Sequence, residues 1–148
     1  MLTLRLNVSG QLPRIDPSLR VIQSTARDLG RSLDNFAALA LIEGSQRILW
    51  QNDRALRQRL AAACAAPAGT PIDLRLDLTL ESGLTPSLQE IDRLAKTLGV
   101  NRGRLILAML PVFAGDTRDK LEDPDNTARW RALADSLAET PEGTVESL

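Results

Sequence analysis

The sequence predicts an α+β fold, mostly α, built from two tandem strand–helix–helix units that share one small antiparallel sheet. Three observations predict it. A set of residues recurs about 70 positions along the chain, each copy begins with alternating apolar and polar residues, and helical apolar periodicity follows each alternation. A lone strand cannot pair its own edges. We therefore expect the two strands to form an intrachain two-stranded antiparallel ribbon packed on a four-helix core.

The repeat is clearest at the first helix of each copy. Residues 17–30 read PSLRVIQSTARDLG and residues 86–99 read PSLQEIDRLAKTLG, so Pro, Ser, Leu, Ile, Ala, Leu and Gly recur at identical spacing. These helices lie 69 positions apart, whereas the strands at residues 2–9 and 72–79 lie 70 positions apart. The connection from strand to helix is therefore one residue shorter in the second copy.

Strict alternation predicts each strand and gives it one buried and one exposed face. The apolar positions are Leu2, Leu4, Leu6 and Val8 in the first copy, and Ile72, Leu74, Leu76, Leu78 and Leu80 in the second. The polar positions are Thr3, Arg5, Asn7 and Ser9, and Asp73, Arg75, Asp77 and Thr79.

The first helix of each copy is expected to begin at an N-cap, Asp16 or Thr85, with the following proline as its first residue. Gly30 and Gly99 supply the left-handed conformation that ends these helices.

The second helix of each copy begins at a Ser32 or Asn101 cap. In the first copy its pattern runs on to about Ala66. In the second copy Pro111 removes a helical hydrogen bond and predicts a kink or an early end.

These boundaries give one compact domain made of both repeats. Its parts are 1–66, the first repeat with an extended second helix; 67–71, a linker; 72–115, the second repeat; and 116–148, an acidic helix at about 125–139 with a disordered tail at 140–148.

Charge is distributed unevenly along the chain. Residues 1–66 carry nine Lys/Arg and five Asp/Glu, whereas residues 67–148 carry nine and fourteen, so charges of +4 and −5 give the net −1. This asymmetry is compatible with one surface meeting nucleic acid. The alternative is ordinary solvation together with an acidic tail.

Composition argues against an enzyme. The chain has no His or Tyr, and its single cysteine, Cys64, lies in an Ala-rich run typical of a small buried hydrophobe. Metal-ligand spacings and Gly-rich phosphate loops are absent from the sequence, so neither a metal nor a cofactor is expected. No apolar run reaches membrane length, and we expect a soluble, cytoplasmic protein without membrane contact.

The alternating strand, the PSL…I…A..LG helix and the turns Gly30-Arg31-Ser32 and Gly99-Val100-Asn101 resemble the ribbon-helix-helix (MetJ/Arc) superfamily. The resemblance covers roughly residues 2–50 and 72–114. Fused tandem copies are similar to TraY-type relaxosome proteins of conjugative plasmids and to the border-binding Vir proteins that assist T-DNA transfer. The resemblance implies a single-chain pseudo-dimer that binds double-stranded DNA.

Within this resemblance, the polar face of the ribbon reads bases in the major groove. The implied readers are Thr3, Arg5, Asn7, Asp73, Arg75 and Asp77. Arginine suits guanine O6 and N7, and Asn7 suits adenine. The two aspartates depart from this pattern. Each either accepts a hydrogen bond from cytosine N4, or pairs with an arginine, or marks a second copy that has lost contact with the groove.

The start of each second helix is implied to contact the DNA backbone. The implied phosphate ligands are Arg31, Ser32, Asn101, Arg102 and Arg104. Arg54, Arg57 and Arg59 form a further basic run, which is either a solvated face or an added phosphate contact.

The functional expectation is a plasmid-transfer accessory factor, in relaxosome or T-DNA processing, or a transcriptional repressor, with relaxase or other transfer proteins as further partners. The alternative is a protein-interaction module, such as an antitoxin-like partner protein, that keeps the fold with weak or no DNA binding. Its partner segment would be the acidic stretch Glu122–Leu148.

Because the two strands that pair belong to one chain, we expect a monomer in solution that reads an asymmetric site. Multi-angle light scattering should return the 16.1 kDa mass of one chain. An obligate dimer would contradict this expectation.

Overall fold

The computed structural model describes residues 3–15, 17–79, 84–120, 123–125, 128–129, 132 and 145–147. In chain order its elements are β1 (Thr3–Pro13), α1 (Leu19–Asp28), α2 (Leu33–Trp50), α3 (Arg54–Ala65), β2 (Ala68–Thr79), α4 (Leu84–Leu98), α5 (Arg102–Lys120) and β3 (Val145–Ser147). The predicted α+β class, mostly helical, is confirmed. None of the helices described is both long and apolar enough to cross a membrane.

The sheet has the strand order β2-β1-β3 within the described residues. β1 and β2 pair antiparallel from Thr3 opposite Thr79 to Pro13 opposite Ala68, and β3 pairs parallel to β1. The first half of the chain and the second half therefore meet along a long two-stranded ribbon.

One face of this ribbon enters the core, as the alternation predicts. Leu6, Val8, Leu74 and Leu76 are buried, and they belong to a single hydrophobic cluster that includes residues of α1 to α5. The rings of Phe36 and Phe113 meet in this cluster with centroids 5.5 Å apart. Since both halves contribute to one core, neither half buries its apolar residues by itself.

The first helices begin at different places from those predicted. α1 starts at Leu19, after an extended Ser18 whose carbonyl accepts a hydrogen bond from Ile22 N at 3.0 Å. Pro17 thus precedes the helix, and Asp16 lies outside the described residues. α4 starts earlier, at Leu84, so Pro86 falls in its first turn, where backbone N–H groups have no helical acceptor to lose.

The second helix of the first copy was predicted to continue to about Ala66. It breaks instead into α2 and α3. Asn52 takes a left-handed conformation with φ 47°, and Asp53 caps α3 by accepting a hydrogen bond from Leu56 N at 2.9 Å. This hydrogen bond, and then the Arg47 guanidinium at 2.8 Å, hold the pKa of Asp53 below its ordinary value. Arg47 also binds Asp116 of α5, so the break is tied to the core.

The predicted linker at residues 67–71 is instead strand from Ala68 onward. β1 runs past Ser9 to Pro13 and supplies the pairing partner, and Arg14 N donates to Pro67 O at 2.8 Å. Successive residues of a strand point their N–H groups to opposite edges. The N–H of Arg75 points away from β1, and position 71, four residues earlier, has the same orientation. Pro71, which has no N–H, therefore removes no hydrogen bond between β1 and β2.

Two predictions about the C-terminal half also need correction. α5 continues through Pro111 to Lys120, so the helix neither ends early nor stops at residue 115. Val145–Ser147, placed in a disordered tail, form β3 against β1. Much of the helix predicted at residues 125–139 lies outside the described residues. Cys64 is buried as predicted, and burial raises the pKa of its thiol.

Gly69 tests the extended ribbon, because a Cβ at this position would lie 2.5 Å from Leu12 O and 3.3 Å from Arg14 N. Gly69→Ala should lower the free energy of unfolding by about 1–3 kcal/mol, since backbone must move to admit the methyl group. Urea unfolding measures this change. The exposed neighbour substitution Thr70→Ala should stay within about 0.5 kcal/mol of wild type. Equal stability of the two variants would contradict the pairing of residues 68–71.

Candidate functional site

The polar face of the ribbon is the candidate site, because the core leaves it open. Four register pairs make up this face: Thr3 opposite Thr79, Arg5 opposite Asp77, Asn7 opposite Arg75, and Ser9 opposite Asp73. All six base readers expected from the sequence therefore lie on one surface. Asp73 and Arg75 are exposed, and Arg5 and Asn7 are half-buried. The side chains of Thr3 and Asp77 lie outside the described part, and only their strand positions are known.

The pairing register places the two repeats about a local twofold axis. Leu6 pairs with Leu76, and these two residues are repeat equivalents 70 positions apart. On one side of this pair, Arg5 lies opposite Asp77, which is the repeat equivalent of Asn7. On the other side, Asn7 lies opposite Arg75, which is the repeat equivalent of Arg5. Both leucines are fully buried, so the axis passes through the core. A register shifted by two residues would keep the burial pattern but move the axis to a pair on the polar face, such as Arg5 with Arg75 or Asn7 with Asp77.

The N-termini of the second helices, α2 and α5, are also equivalent in the two repeats. Ser32 accepts a hydrogen bond from Asn35 N at 3.1 Å, and Asn101 accepts one from Arg104 N at 2.8 Å. These are repeat-equivalent N-caps, and both match the sequence prediction. Gly30 and Gly99, just before them, share φ 72°. The two helix starts flank the ribbon, since α2 packs against β2 and α5 against β1.

The expected phosphate ligands of the second copy have partners within the fold. Arg102 forms a forked ion pair with Asp92, with both N···O distances at 2.6 Å. The guanidinium of Arg104 donates to the carbonyls of Cys64 and Ala66, at the end of α3. Arg104 thereby satisfies carbonyls that the helix leaves without partners. In the first copy, Arg31 is half-buried and Ser32 exposed.

The basic run on α3 is also engaged in internal contacts. Arg57 binds Glu90 of α4 at 3.2 Å, and Arg59 binds Asp116 of α5 at 2.9 Å. Arg54, at the start of α3, is exposed. These ion pairs fasten α3 across the helices of the second copy.

Asp34 is a site residue that the sequence interpretation missed. Its Oδ1 accepts a hydrogen bond from Arg75 N at 3.0 Å, so the first turn of α2 satisfies the outer edge of β2. An acidic residue in the first turn of a helix is a known signal of dipole stabilisation, but the strand it reaches cannot be read from sequence. The repeat equivalent of Asp34 is Gly103, which has no side chain to offer.

The polar face is electrically balanced along its length. Its positions carry two arginines and two aspartates: Arg5 on β1, and Arg75 between Asp73 and Asp77 on β2. Attraction to a polyanion therefore depends on charge beside the ribbon more than on the ribbon itself. Donors and acceptors alternate over this face, which suits recognition of a surface that offers both.

Comparison with known proteins gives no relative for this chain. No protein-family model, curated protein or solved structure matches it. The functional argument therefore rests on the geometry above.

Arg104 and Arg102 should differ in their effect on stability although both were expected to bind phosphate. Arg104→Ala removes charged hydrogen bonds to half-buried carbonyls and should cost about 1.5–3 kcal/mol in urea unfolding. Arg102→Ala breaks an ion pair with the exposed Asp92 and should cost at most about 1 kcal/mol. A larger loss for Arg102→Ala would contradict the assignment of Arg104 to the end of α3.

Proposed function

We propose that this chain is a tandem ribbon-helix-helix protein, two units fused into a single-chain pseudo-dimer, which binds double-stranded DNA by laying the polar face of β1 and β2 in the major groove. The observation that carries the proposal is the twofold register about Leu6 and Leu76. A duplex presents its two strands with the same kind of local twofold relation. A ribbon with matching symmetry offers equivalent groups to both strands at once.

The chemistry of the face supports base reading. Arg5 and Arg75 are repeat equivalents on either side of the axis, and a guanidinium matches the O6 and N7 acceptors of guanine. Asn7 and Asp77 are likewise equivalent, but their chemistry differs, since an amide suits adenine and a carboxylate accepts from cytosine N4. The two halves of the preferred site should therefore share one base and differ at another.

The flanking helix starts support a role in positioning on the backbone. The first turns of α2 and α5 present N–H groups beside the ribbon, at Ser32 and Asn101. On the α5 side, Arg102 is paired with Asp92 and Arg104 is held by α3. On that side, the proposed phosphate contact therefore falls to the backbone N–H groups at the helix start more than to these two arginines.

The resemblance to fused transfer proteins favours an accessory role in plasmid transfer, with repression of transcription as the neighbouring possibility. In this proposal the chain performs no chemistry and marks or shapes DNA for a relaxase or other transfer protein. Both roles would use the ribbon to bind DNA.

The decisive experiment is a salt titration of binding to random-sequence double-stranded DNA, with Arg5→Ala/Arg75→Ala compared with wild type. Wild-type affinity should fall steeply with salt, because released counterions drive binding to phosphates. The double variant should bind several-fold or more weakly and with a shallower dependence on salt, because it removes two cations from the surface that meets the phosphates.

The matched control is Arg54→Glu, which changes the net charge by the same two units as the double variant. Arg54 follows the far end of the 18-residue α2, about 27 Å from its start beside the ribbon. It should reduce affinity far less than the ribbon variant. Equal losses would show that total charge matters and not the ribbon. Salt-insensitive binding, or none by wild type, would favour a protein-interaction module instead.

A further inference from the structure

We propose that β3 competes with DNA for the α5 end of the ribbon, so that this strand restrains DNA binding by its own chain. This inference rests on the proposed function, because it concerns regulation of the same surface. β3 is Val145–Ser147, and it pairs with Arg5–Asn7, two of whose members are expected base readers.

The direction of the backbone groups shows which edge β3 occupies. Arg75 N–H points away from β1, toward Asp34. Asn7 is the register partner of Arg75, and in an antiparallel ladder both members of such a pair point outward. The N–H and carbonyl groups of Asn7 and Arg5 therefore face the outer edge of β1. A parallel strand in register with Leu6 at Glu146 satisfies these groups.

The twofold relation explains why a third strand is found on this edge. At the first turn of α2, Asp34 reaches the outer edge of β2 at Arg75. The equivalent place on the other side is the first turn of α5 beside Arg5, where the residue is Gly103. Gly103 is buried and has no acceptor side chain. β3 thus supplies backbone groups where the second copy lacks the carboxylate of the first.

The position of β3 brings it into conflict with a duplex. The first turn of α5 and the β1 edge beside it are where the proposed function places a phosphate strand. The conflict is one of space, because β3 already pairs with Arg5–Asn7 along this edge, where Glu146 takes the register position opposite the core-facing Leu6. A DNA backbone and β3 cannot both occupy this edge, so docking of one disfavours the other.

Two substitutions of one residue separate the strand from its charge. Glu146→Pro removes the N–H that the parallel pattern directs to the carbonyl of Arg5, and its ring disfavours the pairing. Glu146→Gln removes the charge and keeps the backbone groups. Both are made in the full chain, since no shorter piece has been shown to fold by itself.

Amide hydrogen exchange, measured without DNA, reports the docking of β3. The N–H groups of Arg5 and Asn7 should exchange faster in Glu146→Pro than in wild type, whereas those of Leu6 and Val8, which face β2, should not change. Unchanged exchange at Arg5 and Asn7 would overturn the proposal, because β3 would then not protect this edge.

Binding to random-sequence double-stranded DNA is the second measurement. Glu146→Pro should bind several-fold more tightly than wild type; a ratio of about five would mean that β3 is docked in about four-fifths of molecules. Glu146→Gln should gain less, because β3 still pairs. Equal or weaker binding by Glu146→Pro, with faster exchange at the edge, would overturn the competition while leaving the proposed function intact. No DNA binding by any of the three proteins would instead reject the proposed function, and the competition with it.

Discussion

The two-stranded ribbon buries only one of its faces. Helices from both repeats cover that face together. This arrangement depends on the pairing of Leu6 with Leu76, two fully buried repeat equivalents. The strand register fixes where α2 meets β2 and where α5 meets β1, and hence where the capped helix starts flank the polar face. A shift of one residue would exchange the core and polar faces of a strand. The candidate site therefore depends on the same contact as the core.

Arginine is the main source of positive charge in this protein, and much of it is used inside the fold. Arg47, Arg57 and Arg59 hold α3 to its neighbours through carboxylates, and Arg104 binds the carbonyls at the end of α3. In the proposed function, this arrangement suits moderate DNA affinity, with selectivity supplied by base contacts. Charge that binds carboxylates within the fold contributes less to counterion release on DNA.

The two copies differ at the outer edges of the ribbon. The outer edge of β2 is satisfied by Asp34, whereas the corresponding edge of β1 is paired with β3. A fused pair of repeats can carry such differences, because each copy is free to change without altering the other. Two identical chains would show the same edge twice. Fusion thus permits the two edges of the ribbon to be completed in different ways.

The sequence by itself determined the features that depend on near neighbours and on the repeat. Alternation gave the buried faces, Ser32 and Asn101 gave the helix caps, and Gly30 and Gly99 gave the left-handed turns. Only the tertiary structure decided the break at Asn52, the strand at residues 68–71, the partner of Arg104 and the pairing of β3. Caps and alternation act within a few residues. Ion pairs and strand edges join residues far apart in the chain, so their partners exist only once the fold has brought them together.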